Sequence, residues 1–131
     1  MSGFTQKEVE YLREQRLGGL ATVSASGRPH VVPVGFRGAS ELGVGDIGGC
    51  DMGRTRKFRD VAQTGRVAFV VDDVLRGTRG TRGTPWRTRG VEVRGRAEVL
   101  GDESIRIFPE RIVGWGIDPD ARGPNARSAA R

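Results

Sequence analysis

The sequence predicts a mainly β fold: six to seven antiparallel strands closed into a barrel, with two or three short helices. Three observations carry this. Short apolar or alternating runs recur along the chain, punctuated by turn residues. The 21 glycines among 131 residues suit tight turns and close backbone approach rather than long helices. The connections between runs are short, which favours antiparallel pairing over crossovers.

The elements follow in order. Thr5 and Glu8 have the spacing of a capping box, and Phe4 and Val9 stand where a hydrophobic staple would close. A helix is expected from about Gln6 to Arg16, stopped by Gly18-Gly19, with Val9 and Leu12 as its apolar face and Tyr11 on its surface or in dimer packing. Leu20 to Ala25 and His30 to Phe36 read as a hairpin about the Ser26-Gly27 turn. Pro33 has no N–H to give a ladder, so the second strand is an edge, or is bulged and faces something other than a strand. A turn over Gly38 to Ser40 leads to a third strand, Leu42 to Gly49. A second helix is expected from about Gly53 to Gln63, ended by Gly65, with Phe58, Val61 and Ala62 inward.

The unbroken apolar run Val67 to Val71, within Arg66 to Asp73, suits a strand buried on both faces. Val91, Val93, Gly95, Ala97 and Val99 alternate with charged residues, the pattern of a half-buried antiparallel strand. Ile105 to Phe108 and Arg111 to Ile117 read as two closing strands split by Pro109, with Trp115 in the core. The organisation expected is one domain over residues 1–118 and a polar, disordered tail over 119–131.

The net charge is +6 and nearly all of the positive charge is arginine, the lysines being Lys7 and Lys57. A GC-rich genome explains this, and so does an anionic partner. The basic Gly-Thr-Arg repeat of residues 77–84 has Trp86 as its one aromatic neighbour, and aromatics total 6%, too few for a single-strand stacking platform. Nucleic acid is therefore not the expected partner. Cys50 is the lone cysteine and His30 the lone histidine, which excludes an internal disulfide and a zinc site of the usual kind. No Gly-x-Ser-x-Gly elbow is present. No run reaches the length of a membrane span and the first residues lack a signal peptide's apolar core, so a cytoplasmic location is expected.

The segment Cys50-Asp51-Met52-Gly53-Arg54-Thr55-Arg56-Lys57 follows a strand and opens a helix. Helix N-termini are partially positive and attract carboxylates. Here Arg54, Arg56 and Lys57 add to that field, which a bound phosphate would neutralise. A solvated basic face explains the segment equally well on its own.

The ordered series of segments goes further. It comprises Arg16-Leu17-Gly18-Gly19-Leu20-Ala21-Thr22-Val23, Gly27-Arg28-Pro29-His30-Val31-Val32-Pro33-Val34-Gly35-Phe36, Asp46-Ile47-Gly48-Gly49, Arg56-Lys57-Phe58-Arg59-Asp60-Val61, Arg66 to Asp73, Pro85-Trp86-Arg87, Arg89 to Glu98 and Pro109-Glu110-Arg111-Ile112-Val113. Over roughly residues 4–117 the chain resembles the pyridoxamine 5′-phosphate oxidase-like, FMN-binding split-barrel superfamily, and more narrowly its small deazaflavin (coenzyme F420) branch.

The resemblance implies a split β-barrel and a homodimer with cofactor at the subunit interface. It implies an F420-dependent oxidoreductase moving hydride to an activated C=C, C=N or nitro acceptor, chemistry that the cofactor ring carries. His30, Val31, Val32, Pro33 and Val34 would lie along the ring, contacting it largely through backbone; Cys50 and Asp51 would border the phosphate and ribityl chain; Arg56 and Lys57 would bind the phosphate; Trp86 would reach the cofactor of the other subunit. No catalytic residue and no metal ligand is assigned.

Two departures set the chain apart from FMN oxidases. Gly90 stands where they tend to carry a polar flavin contact, and the Gly-Thr-Arg loop is not a general family feature. Arg76, Arg79 and Arg82 are candidates to attract the oligoglutamate tail of the deazaflavin. The alternatives are an FMN-binding oxidase or flavin reductase of the same fold and, further off, a nucleic-acid binder or a cofactor carrier. Nothing in these residues identifies the substrate.

Overall fold

Thr5 caps helix α1 (Gln6–Glu14) as its spacing predicts. Its hydroxyl accepts the Glu8 N–H at 3.1 Å, and Glu8 Oε1 accepts the Thr5 N–H at 2.9 Å. Phe4 and Val9 are both buried. In the computed structural model, residues 3–40, 43–48, 55–76, 86–100, 104–118 and 123–129 are described.

The strands are β1 (Leu17–Val23), β2 (Pro29–Ser40), β3 (Gly43–Gly48), β4 (Arg66–Arg76), β5 (Trp86–Val99), β6 (Ile105–Trp115) and β7 (Asn125–Ser128), with helix α2 (Arg56–Thr64) between β3 and β4. Their order in the sheet is β3-β2-β1-β4-β5-β6-β7, and an added β3–β6 pairing closes the ring. All pairings are antiparallel. The closure is partial. β6 gives its first half to β3, through Val44↔Ile107 and Ile47↔Ile105, and its second half to β7. The result is the expected mainly β split barrel with two helices.

Register sorts the side chains, because directly opposed residues share a face. Val32, Leu20, Phe69, Val93 and Ile112 form one row across the inside. Leu20, Phe69, Val93 and Ile112 in that row are at most 1% exposed. The Phe69 ring meets Phe36 edge-on at 5.3 Å. α2 packs across β1, where its Asp60 accepts from Thr22 Oγ1 at 2.8 Å, both groups being buried. Gly65 ends α2 in the left-handed conformation, φ 67°, that favours glycine.

Several local expectations are corrected. The Gly38–Ser40 turn is instead the end of β2, where Gly38 takes φ 72° and the register with β3 shifts. β6 is one strand, not two: Pro109 sits at a shift opposite Gly95, where a bulge accommodates its missing N–H. β4 is buried on one face; Val67, Phe69 and Val71 point inward while Ala68 and Val70 are half-exposed. β4 and β5 extend beyond their apolar cores to pair Arg76 with Trp86. Tyr11 is 3% exposed rather than on the surface, and Trp115 is half-buried rather than core. Residues 125–128 of the expected tail pair with β6 as β7. Arg127 reaches back to the buried Glu8 carboxylate and to the Gly3 carbonyl, tying the last strand to the first helix. Among the described residues no helix is long and apolar enough to cross a membrane.

Candidate functional site

Pro33 lies on β2 opposite Gly19 of β1. β3 begins to pair with β2 only at Gly35, so along residues 29–34 no described strand occupies the other edge. That is where a proline costs no ladder bond. Alternation divides the five residues of the expected cofactor strand. Val34 is 4% exposed and Val32 packs against the core, so their side chains serve the barrel interior. Val31, 68% exposed, and Pro33 face outward. Backbone contact remains open to all five.

His30 is on the inner face, opposite Thr22. Its Nδ1 is buried and has no hydrogen-bond partner among the described residues. A buried imidazole nitrogen without a partner is costly unless a ligand or water completes it.

The outer face around Val31 is apolar for its position. Leu17 is 68% exposed and Val74 56%. Val31, Ala21 and Ala68 form one row, and Pro33, Gly19 and Val70 the next. Exposed apolar residues gathered on one sheet face mark a surface that is covered in use.

The N-terminus of α2 contrasts with that of α1. In α1 the Glu8 carboxylate supplies the negative charge that the first turn favours. In α2 Thr55 caps the Phe58 N–H at 3.3 Å, and no acidic residue occupies the first turn. Arg56 and Lys57 stand there instead. They do not act as a joined pair. Arg56 is exposed and lines a cleft with Arg28 and Arg59, whereas the half-buried Lys57 is not part of that wall.

Cys50 and Asp51 lie outside the described residues, as do Arg79 and Arg82 of the basic loop. The backbones of Arg76 and Trp86 pair at the end of the β4–β5 hairpin, and their side chains are outside the described set. No group of three or more His, Cys, Asp or Glu residues suited to a metal occurs among the described residues.

At the root of that hairpin is a polar knot that the sequence reading missed. Arg89 donates to both carboxylate oxygens of Asp73, at 2.8 and 3.0 Å. The Tyr11 hydroxyl donates to Asp73 Oδ1 at 2.9 Å, and the Arg89 guanidinium lies 4.8 Å from the Tyr11 ring centroid. The Arg89 guanidinium holds the Asp73 carboxyl below its ordinary value. Burial, reinforced by the Asp73 carboxylate, raises the Tyr11 phenol beyond its ordinary range, so it stays protonated. The knot anchors α1 to the strands that carry Trp86. Next to it, Gly90 has no room for a side chain: a Cβ there would lie 2.7 Å from the Val71 carbonyl oxygen and run into the Trp115 ring.

Known proteins resemble the chain in family and in fold. The family described as pyridoxamine 5′-phosphate oxidase matches residues 4–131. A 5a,11a-dehydrotetracycline/5a,11a-dehydrooxytetracycline reductase of Streptomyces rimosus is 49% identical over 136 aligned positions, covering 95% of this chain and 92% of the relative. A conserved hypothetical protein of Mycobacterium tuberculosis superposes with a TM-score of 0.62 at 19% identity, over 93% of this chain and 94% of that one. An FAD-binding protein of Mycobacterium smegmatis gives 0.61 at 20% identity, over 85% and 92%. At these identities the two structures speak for the fold.

Proposed function

The chain belongs to the pyridoxamine 5′-phosphate oxidase family, and on that premise we propose that it is a deazaflavin (F420)-dependent reductase of an activated C=C bond in a polycyclic substrate. The observation that carries this reading is the likeness, over nearly the whole of both chains, to a reductase whose substrate names a carbon–carbon double bond. That likeness supports an oxidoreductase; the cofactor and the substrate class are the proposal.

The residues present fit such a cofactor. The open edge of β2 and the outward Val31 and Pro33 offer a flat apolar seat for a ring. The His30 side chain lies on the inner face with its Nδ1 buried, so His30 would contact the ring through backbone, as the family resemblance implies. At the N-terminus of α2, whose first turn has no acidic residue, the exposed Arg56 guanidinium would grip a phosphate as a fork, and Lys57, outside the Arg56 cleft, would add only its point charge to the same helix end. Cys50, Asp51 and Trp86 keep the roles that the family resemblance gives them. A deazaflavin is favoured over FMN by Gly90, where packing denies the polar side chain that the FMN oxidases tend to carry.

When bound and reduced, the deazaflavin supplies the hydride. The chain's part is to seat the ring, fix the phosphate and exclude water. Solvent can protonate the product, so no acid or base is assigned. The apolar face bearing Leu17, Val31 and Val74 would be covered by a second copy, so that two chains complete each site. The test is anaerobic turnover of a tetracyclic dehydro substrate with reduced deazaflavin against reduced FMN. Turnover with the deazaflavin supports the reading; turnover with FMN alone would replace it with the flavin reductase reading.

A further inference from the structure

The cleft between the β1–β2 turn and the outer face of α2 has a volume of about 570 Å³ and walls made of Ser24, Ser26, Arg28, Arg56, Arg59 and Gln63, with Asp60 behind them. Arg56, Arg59 and Gln63 are spaced i, i+3, i+7, which puts them on one helix face. Arg28 arrives from the opposite wall. The turn fixes it: its N–H donates to Ser24 Oγ at 3.0 Å and its carbonyl accepts the Ser24 N–H at 2.9 Å. The Ser24 and Ser26 hydroxyls lie 3.0 Å apart, so one donor remains for a ligand.

Among the described residues the charge in the cleft is unbalanced. None of Arg28, Arg56 and Arg59 enters an ion pair among the described residues. Asp60, the one carboxylate in these walls, is 4% exposed and accepts from Thr22 Oγ1, so it points into the sheet rather than at the guanidiniums. Three guanidiniums from two elements repel one another across a shared space unless an anion lies between them. Guanidinium forks and hydroxyls, with no apolar side chain among the described residues of the wall, are the donor set for phosphate or carboxylate oxygens.

We infer that this cleft is a polyanion subsite, in which Arg28 and Arg59 extend the Arg56 end of the phosphate site to hold a further phosphate- or carboxylate-bearing group. Two sources share that chemistry: the acidic side chain that a deazaflavin carries beyond its phosphate, and free phosphate. FMN, which ends at its phosphate, has nothing to place there. The identity of the ligand rests on the deazaflavin reading; the existence of the anion site does not.

The test compares wild type with the Arg28→Ala/Arg59→Ala double variant, in which two side chains on the cleft wall are shortened and far-UV circular dichroism checks the fold. Three probes are titrated: inorganic pyrophosphate by calorimetry, and deazaflavin with and without its oligoglutamate chain by ligand fluorescence. The expected result is at least a tenfold loss for pyrophosphate and for the tailed cofactor, with the tail-less form within twofold of wild type. Loss for pyrophosphate alone, with neither deazaflavin bound by wild type, keeps the anion site, assigns it to free phosphate and rejects the cofactor reading. Unchanged affinity for every probe overturns the inference. So does salt-sensitive binding of duplex DNA abolished by the same double change with no effect on pyrophosphate, which would assign the arginines to nucleic acid.

Discussion

Asp73 shows how much one side chain can organise here. It accepts from Tyr11 and from both ends of the Arg89 fork, joining α1, β4 and β5 at a point 29% exposed. Because its carboxyl is held below the ordinary 3.8 in the folded state, the stabilisation is present above that value and is lost as pH falls through the lower, folded value. Asp73→Asn should therefore cost about 1–3 kcal/mol in urea unfolding at neutral pH, with the gap to wild type closing as the solution is taken well below pH about 4. An undiminished gap in acid would show that the knot works by shape and not by charge. The sequence could not show this cluster, since Tyr11 lies 62 positions from Asp73 and nothing local marks it as buried. His30 was legible as a candidate by position. Its orphaned Nδ1 depends on packing and was not.

At the scale of elements, what is coded within a few residues was readable. The Thr5–Glu8 box, the Gly65 stop and the alternation of β5 all follow from spacing, and each is found. What depends on distant partners was misread. Pro109 breaks a strand when read alone, yet opposite Gly95 it occupies a bulge and the strand continues. Residues 125–128 look like a polar tail until Arg127 meets Glu8, 119 positions away. Glu8 thus has two jobs: capping α1 and pairing with the strand that completes the sheet, while only 4% of its side chain is exposed. Glu8→Ala leaves Arg127 without its carboxylate and should cost about 3 kcal/mol in unfolding free energy, with faster amide exchange across residues 125–128. A loss below about 0.5 kcal/mol would mean that the pair is no more than a surface contact. Helix α2 lies near its expected place, but it starts at Arg56 rather than Gly53 and leaves Ala62 exposed, and the i, i+3, i+7 spacing of Arg56, Arg59 and Gln63 gains meaning only from the Arg28 turn that faces it.

At the scale of the molecule, the described residues leave two adjoining features uncovered, the open edge of β2 along residues 29–34 and the apolar outer face of β1, β2 and β4. The two adjoin at Val31 and Pro33, so one event, the docking of a second copy over a bound ring, would cover both. Val31→Asp places a charge in that patch; on the proposed dimer, wild type should sediment as a dimer and the variant as a monomer in analytical ultracentrifugation, with cofactor affinity falling at least tenfold. A dimer unchanged by the substitution would move the interface elsewhere. The strand pattern foretold the barrel; which face stays uncovered is set by register, which single-sequence periodicity does not fix. The central claim is reduction by a deazaflavin, and anaerobic single-turnover reduction tests it most directly: wild-type protein, reduced F420 or reduced FMN, and a tetracyclic dehydro substrate, followed by the return of oxidised-cofactor absorbance. The account predicts stoichiometric oxidation of F420 with loss of the substrate double bond and none above background with FMN; oxidation of FMN, with F420 inert, would contradict it.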